Sequence, residues 1–108
     1  MNEFVNNLDE VFTLFGPVHA RKMFGGYGIY RDKLMFALVA EGELFLKADE
    51  RSRVAFIELG LPAFEYRKND RPIKMSYYLA PEAIFDDPEA AREWADRAYA
   101  AALRAKSN

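Results

Sequence analysis

Phe4, Val5, Leu8, Val11, Phe12 and Phe15 recur at spacings of three and four, the interval that gathers side chains onto one helical stripe. This predicts a first helix from Glu3 to Phe15. Gly16-Pro17 stops it, because glycine accepts the left-handed cap and proline cannot continue the helix. From Val18 to Asp49 the period shortens to that of strands, with turn signals at Gly25-Gly26, Arg31-Asp32-Lys33 and Glu41-Gly42. The pattern predicts a meander of three or four antiparallel strands at 18–24, 26–31, 33–40 and 43–48. The third strand is apolar on both sides, with Leu34, Phe36 and Leu38 on one and Met35, Ala37 and Val39 on the other. A strand wetted on one side alternates, so this one is expected to be covered on both, either by helices or by a second subunit.

Asp49 is a helix N-cap ahead of ERSRVAFIELG, whose Val54, Ile57 and Leu61 form an apolar stripe and whose Gly60 closes the helix before Pro62. Ala63–Arg67 and Ile73–Ala80 then read as a hairpin around Lys68-Asn69-Asp70-Arg71-Pro72. Asp87-Pro88 is a cap and first-turn signature opening a last helix that runs to about Lys106. Its apolar side carries Ala91, Trp94, Ala95, Ala98, Tyr99, Ala102 and Leu103. The alanines permit close approach to a sheet, with Trp94 as the main anchor, while Arg104 and Lys106 complement the helix dipole. The order α, three or four β, α, two β, α predicts an α+β fold of two layers, an antiparallel sheet of five to six strands packed by helices.

Composition narrows the class without naming a function. At 108 residues, 51% hydrophobic and 15% aromatic, the chain suits one domain spanning residues 1–108. A net charge of -2 is that of an ordinary globular protein, and a pI near 5.4 offers little counterion release, so direct nucleic-acid binding without a partner is not expected. Charge is nevertheless uneven: residues 21–74 carry eleven Lys/Arg against eight Asp/Glu, a surplus of three between acidic ends. The absence of cysteine removes disulfides, thiolate chemistry and Cys-based metal sites. No segment has the length of a membrane span and the amino terminus lacks a signal-peptide pattern, which places the chain in the cytoplasm by elimination.

No catalytic constellation is apparent. Gly25-Gly26-Tyr27-Gly28 lacks the Lys-Ser/Thr of a phosphate loop and leads into a strand, so its glycines are read as turn, bulge or packing devices. His19 is the sole histidine, Ser76 has no His base nearby in sequence, and Glu43, Asp49, Asp70, Asp86 and Asp87 sit at turns or helix starts. No catalytic residue, cofactor or metal ligand is therefore assigned. The candidate contact surface is Arg21, Lys22, Arg31 and Lys33 with Arg67, Lys68, Arg71 and Lys74, interleaved with Tyr27, Tyr30, Tyr77 and Tyr78. Cations beside aromatics serve both nucleic-acid and protein-partner surfaces.

The segments RKMFGGYGIYRDKLMFALVAEGELFLKAD, FEYR, KMSYYLAP and DDPEAAREWADRAYAAA together resemble the TfoX/Sxy amino-terminal domain family across almost the whole chain. The resemblance implies a two-layer α+β domain in a group named for regulators of natural competence, where it is thought to assist a cAMP-responsive DNA-binding activator rather than perform chemistry. Full regulators of this kind carry a second, carboxy-terminal helical domain, and this chain corresponds to the amino-terminal domain alone. The expected function is a non-enzymatic regulatory or protein-interaction module, with a protein partner such as a transcription activator and a homodimer through an exposed sheet face as a further arrangement. The alternative is a small-molecule-binding protein or enzyme with a pocket near Gly25 to Tyr30 and the Tyr77-Tyr78 strand.

Overall fold

The computed structural model describes residues 2–23 and 25–107. Among them the chain forms α1 (Glu3–Asn6), α2 (Leu8–Val11), β1 (His19–Met23), β2 (Gly26–Arg31), β3 (Leu34–Ala40), β4 (Glu43–Lys47), α3 (Arg53–Glu58), β5 (Ala63–Lys68), β6 (Arg71–Leu79), a 3-10 turn (Glu82–Phe85) and α4 (Pro88–Ser107). The six strands make one antiparallel sheet in the order β1-β2-β3-β4-β6-β5, not closed into a barrel, and the class is α+β as expected. The expected end of the first strand at Phe24 lies outside the described residues.

Three hairpins are closed by two-residue turns with positive φ at both positions: Asp32-Lys33 (50° and 69°), Glu41-Gly42 (52° and 76°) and Asn69-Asp70 (53° and 62°). That backbone hand matches the right-handed twist of the strands it joins. The last turn is shorter than the five residues expected, so Arg71 and Pro72 belong to β6 and pair with Lys68 and Arg67. The 3-10 turn had no signal in the apolar period.

The predicted first helix is broken. Asn7 separates α1 from α2, and Phe12 leaves helical geometry at φ -99°, ψ 28°. The Asn6-Asn7 pair, whose amides compete for backbone partners, lowers helix propensity at the break. The stripe still works, because Val5, Leu8, Val11, Phe12 and Phe15 are all buried.

In β3 the expected alternation fails at a bulge. Ile29 pairs with Ala37 and Tyr30 with Met35, so Phe36 is the extra residue, and Phe36 and Ala37 both face the helices. Met35, Leu38 and Ala40 take the other side. Strict period-2 counting cannot register an inserted residue.

The main core lies between the sheet and the helices. Phe36 meets Phe12 at 5.5 Å and Phe15 at 4.9 Å between ring centroids, while Ala91, Ala95 and Ala98 seat α4 on the sheet. The face of α4 differs from expectation at two positions, since Ala101 is buried and Leu103 is 46% exposed. Trp94 anchors α4 to α3, its ring tilted by 60° against Phe56 at 5.0 Å between centroids. The expected stripe of α3 is also corrected: Val54 and Ile57 are more than half exposed, and Phe56 is the buried residue, held between Tyr78 and Trp94. A six-residue helix is too short for periodicity to select its inner face, and the largest apolar side chain takes it. Gly60 closes α3 as predicted, with the Leu61 N–H donating to the Phe56 carbonyl and the Gly60 N–H to that of Ile57.

Candidate functional site

The sheet face turned away from the main core carries its own apolar cluster. Leu38, Phe45 and Tyr77 are buried there, with Met35, Phe64 and Met75 packed around them. No helix of the described residues contributes to this cluster, so helices do not cover both faces of β3. Curling of the sheet brings Met23 and Gly26 on one side and Phe64 and Tyr66 of β5 on the other around an apolar hollow of about 80 Å³. Of the glycines of GGYG, Gly25 takes a positive φ of 76° in open space, while Gly26 and Gly28 serve close approach. A Cβ on Gly26 would stand 2.1 Å from the Val39 carbonyl oxygen, and one on Gly28 would stand 2.7 Å from Met23 Sδ and 3.0 Å from Met35 Sδ.

Strand alternation divides the predicted contact residues between the two faces. Arg21 and Tyr30 lie on the helix-free face, where Tyr30 stacks on His19 at 5.5 Å and Arg21 sits 5.4 Å over the Tyr30 ring. Lys68 and Arg71 pair at the tip of the β5–β6 hairpin, two residues beyond the Tyr66–Ile73 pair, and so share that face. Tyr77 is buried within it, and burial, then the nearby Tyr30 charge, pushes its phenol up to about 12. Tyr27 and Tyr78 point the other way and pack on the main core. Lys22, Arg67 and Lys74 are exposed on that side of their strands, and Lys33 is exposed in a turn. Arg31 is committed to structure: its guanidinium lies 4.2 Å from the Phe15 ring centre and 4.5 Å from that of Tyr99, and donates to the Phe15 carbonyl at 2.9 Å.

A second feature, absent from the sequence reading, is a polar cleft of about 510 Å³ where the ends of β4 and α4 meet β6 and the start of α3. Asp49 and Ser52 cap each other, the Ser52 N–H donating to Asp49 Oδ1 at 2.9 Å and the Asp49 N–H to Ser52 Oγ at 3.0 Å. The same carboxylate receives Arg104 Nε at 2.5 Å and Nη2 at 3.0 Å. This hydrogen bonding from Arg104 holds the Asp49 carboxyl well below the usual carboxylate range, and Asp49 in turn raises Arg104. Beside them Lys47 donates to Ser76 Oγ at 2.6 Å and lies 5.2 Å over the Tyr77 ring. Burial lowers the Lys47 pKa, with the Asp49 charge acting against it. Lys47 and Ser76 are 29 residues apart and meet because Lys47 pairs with Tyr77 across β4 and β6, a neighbour relation no local motif signals. Among the described residues no group of three or more His, Asp or Glu is placed to hold a metal.

These features define a small α+β domain with one helix-covered sheet face, one helix-free apolar face and a polar cleft at the sheet end. The chain matches the TfoX N-terminal domain over residues 10–102, and it belongs to that family. It is 30% identical over 76 residues to Protein Sxy of Escherichia coli, an overlap of 70% of this chain and 36% of that protein. It is likewise 30% identical over 88 residues to DNA transformation protein TfoX1 of Aliivibrio fischeri, covering 78% of this chain and 42% of the relative. The matched regions thus span less than half of either relative's length.

Proposed function

We propose that this chain is a non-enzymatic regulatory domain of the competence type, acting in the cytoplasm by binding a protein partner, a transcription activator, through the helix-free sheet face. One relative is named a DNA transformation protein, which supports the biological setting. The observation that carries the contact is the helix-free face, where half-buried Met35, Phe64 and Met75 lie over the buried Leu38, Phe45 and Tyr77 and Ile73 is 38% exposed, flanked by Arg21, Lys68 and Arg71. An apolar centre with a cationic rim selects a partner segment that combines apolar side chains with acidic ones. The 80 Å³ hollow beside Gly26 favours a protein over a small molecule, since ligand pockets occupy roughly 300–1,000 Å³.

The test is co-purification of the activator from native cells with wild-type chain and with Phe64→Glu and Arg71→Glu, alongside output of an activator-dependent promoter. Capture of the activator by the wild type, reduced about tenfold or more in each variant together with promoter output, is the expected result. Recovery of no transcription component, with promoter output indifferent to the gene, overturns the proposal. So does a tight homodimer, seen by sedimentation, that Phe64→Glu dissociates without changing promoter output.

A further inference from the structure

We propose that the cleft at the sheet end binds a small organic phosphate, with Lys47, Lys74, Arg53 and Ser76 as its contacts. The inference does not rest on the partner-binding reading, because its cations are not those that rim that face: Lys74 and Ser76 alternate with Met75 and Tyr77 along β6, and Lys47 reaches Ser76 over the Tyr77 ring at the sheet end.

Charge is the first support. Asp49 is consumed by Arg104, which engages both of its oxygens. None of the ion pairs among the described residues involves Lys47, Arg53 or Lys74. Glu50 is the remaining carboxylate on the wall, and Glu65 lies opposite Lys74 in the β5–β6 register without an ion pair to it. Three unpaired cations against one wall carboxylate leave the cleft electropositive in a chain whose net charge is -2.

Hydrogen-bonding capacity is the second. Lys47 is partly withdrawn from water and spends one N–H on Ser76 Oγ. An ammonium has three donors and no acceptor, so Ser76 accepts this bond and keeps its own O–H to donate, while Lys47 keeps two N–H groups. Those two N–H groups face the cleft, where an incoming phosphate oxygen can accept from them in a charge-assisted bond. Size is the third: about 510 Å³ exceeds the needs of an inorganic ion, and Ala63 and Tyr78 supply an apolar wall for an organic portion.

Calorimetry and amide NMR on the full chain, with inorganic pyrophosphate, glucose 6-phosphate and a short single-stranded oligonucleotide as probes, test the proposal. Both small phosphates are expected to bind and to move the amides of Ala48, Lys74 and Ser76. Lys47→Met should weaken binding about tenfold, Lys74→Gln and Ser76→Ala about threefold to fivefold each, and Arg92→Gln, on the far part of α4, should change nothing. Lys74 is exposed, so its variant keeps the test open if Lys47→Met fails to fold. No shifts at the cleft, affinities unchanged in both lysine variants, or binding of the oligonucleotide alone would each overturn the assignment.

Discussion

Asp49 shows how much one side chain can carry. Its carboxylate accepts the Ser52 N–H at the start of the α3 turn and both donors of Arg104 from the last turn of α4, tying two elements 55 residues apart. The capping half is legible in part from Asp49 standing before a helical segment, although α3 itself starts at Arg53 with Ser52 in its N-cap position and Asp49 caps the turn ahead of it. The pairing half is not, because Arg104 reads equally well as a dipole complement until the chain folds. Its folded-state pKa lies below the unfolded 3.8, so the stabilisation is complete above that value and is lost as pH falls through the folded one. Asp49→Asn is therefore expected to cost about 1–2 kcal/mol near neutral pH. In urea unfolding the gap to wild type should narrow as pH drops below about 4.

Elements were legible where their signals are local. The turns at Asp32-Lys33 and Glu41-Gly42, the Gly60 closure and the Asp87 start of α4, where Asp87 Oδ1 accepts the Glu89 N–H at 3.0 Å, all follow from residues in immediate sequence contact. The sequence left the GGYG glycines as turn, bulge or packing devices, and the fold makes Gly26 and Gly28 packing positions and supplies what they pack against. Gly26→Ala drives a methyl into the fixed Val39 carbonyl, whereas Gly28→Ala meets the movable ends of Met23 and Met35. The expected order in thermal unfolding is a loss of about 2–3 kcal/mol or a lost β2–β3 register for Gly26→Ala, against about 1 kcal/mol for Gly28→Ala. The inner face of α3 and the bulge at Phe36 were not legible. Each depends on which side chain finds a complementary hole, and neither leaves a periodic trace.

For the whole molecule, Phe36 is the junction between layers. It is fully buried and reaches Phe12, Phe15 and, at 6.4 Å, Tyr99, so it joins the amino-terminal helices, β3 and α4. Phe36→Ala should cost about 3–5 kcal/mol in denaturant unfolding, a large part of the stability available to a domain of this size. The same packing explains the two-sided apolarity of β3. One side needs the helices, and the other is shielded by Phe45, Phe64 and Tyr77 from the curled sheet itself.

Sequence alone determined most of the elements, their order along the chain and the family, because helix stripes, turn residues and caps act over a few neighbouring positions. Tertiary structure decided which face each strand residue takes, how the candidate cations are divided between two faces, and that Lys47 meets Ser76 beside the Asp49–Arg104 pair. Those outcomes rest on sheet register, one inserted residue and sheet curvature, which are set by contacts between residues tens of positions apart.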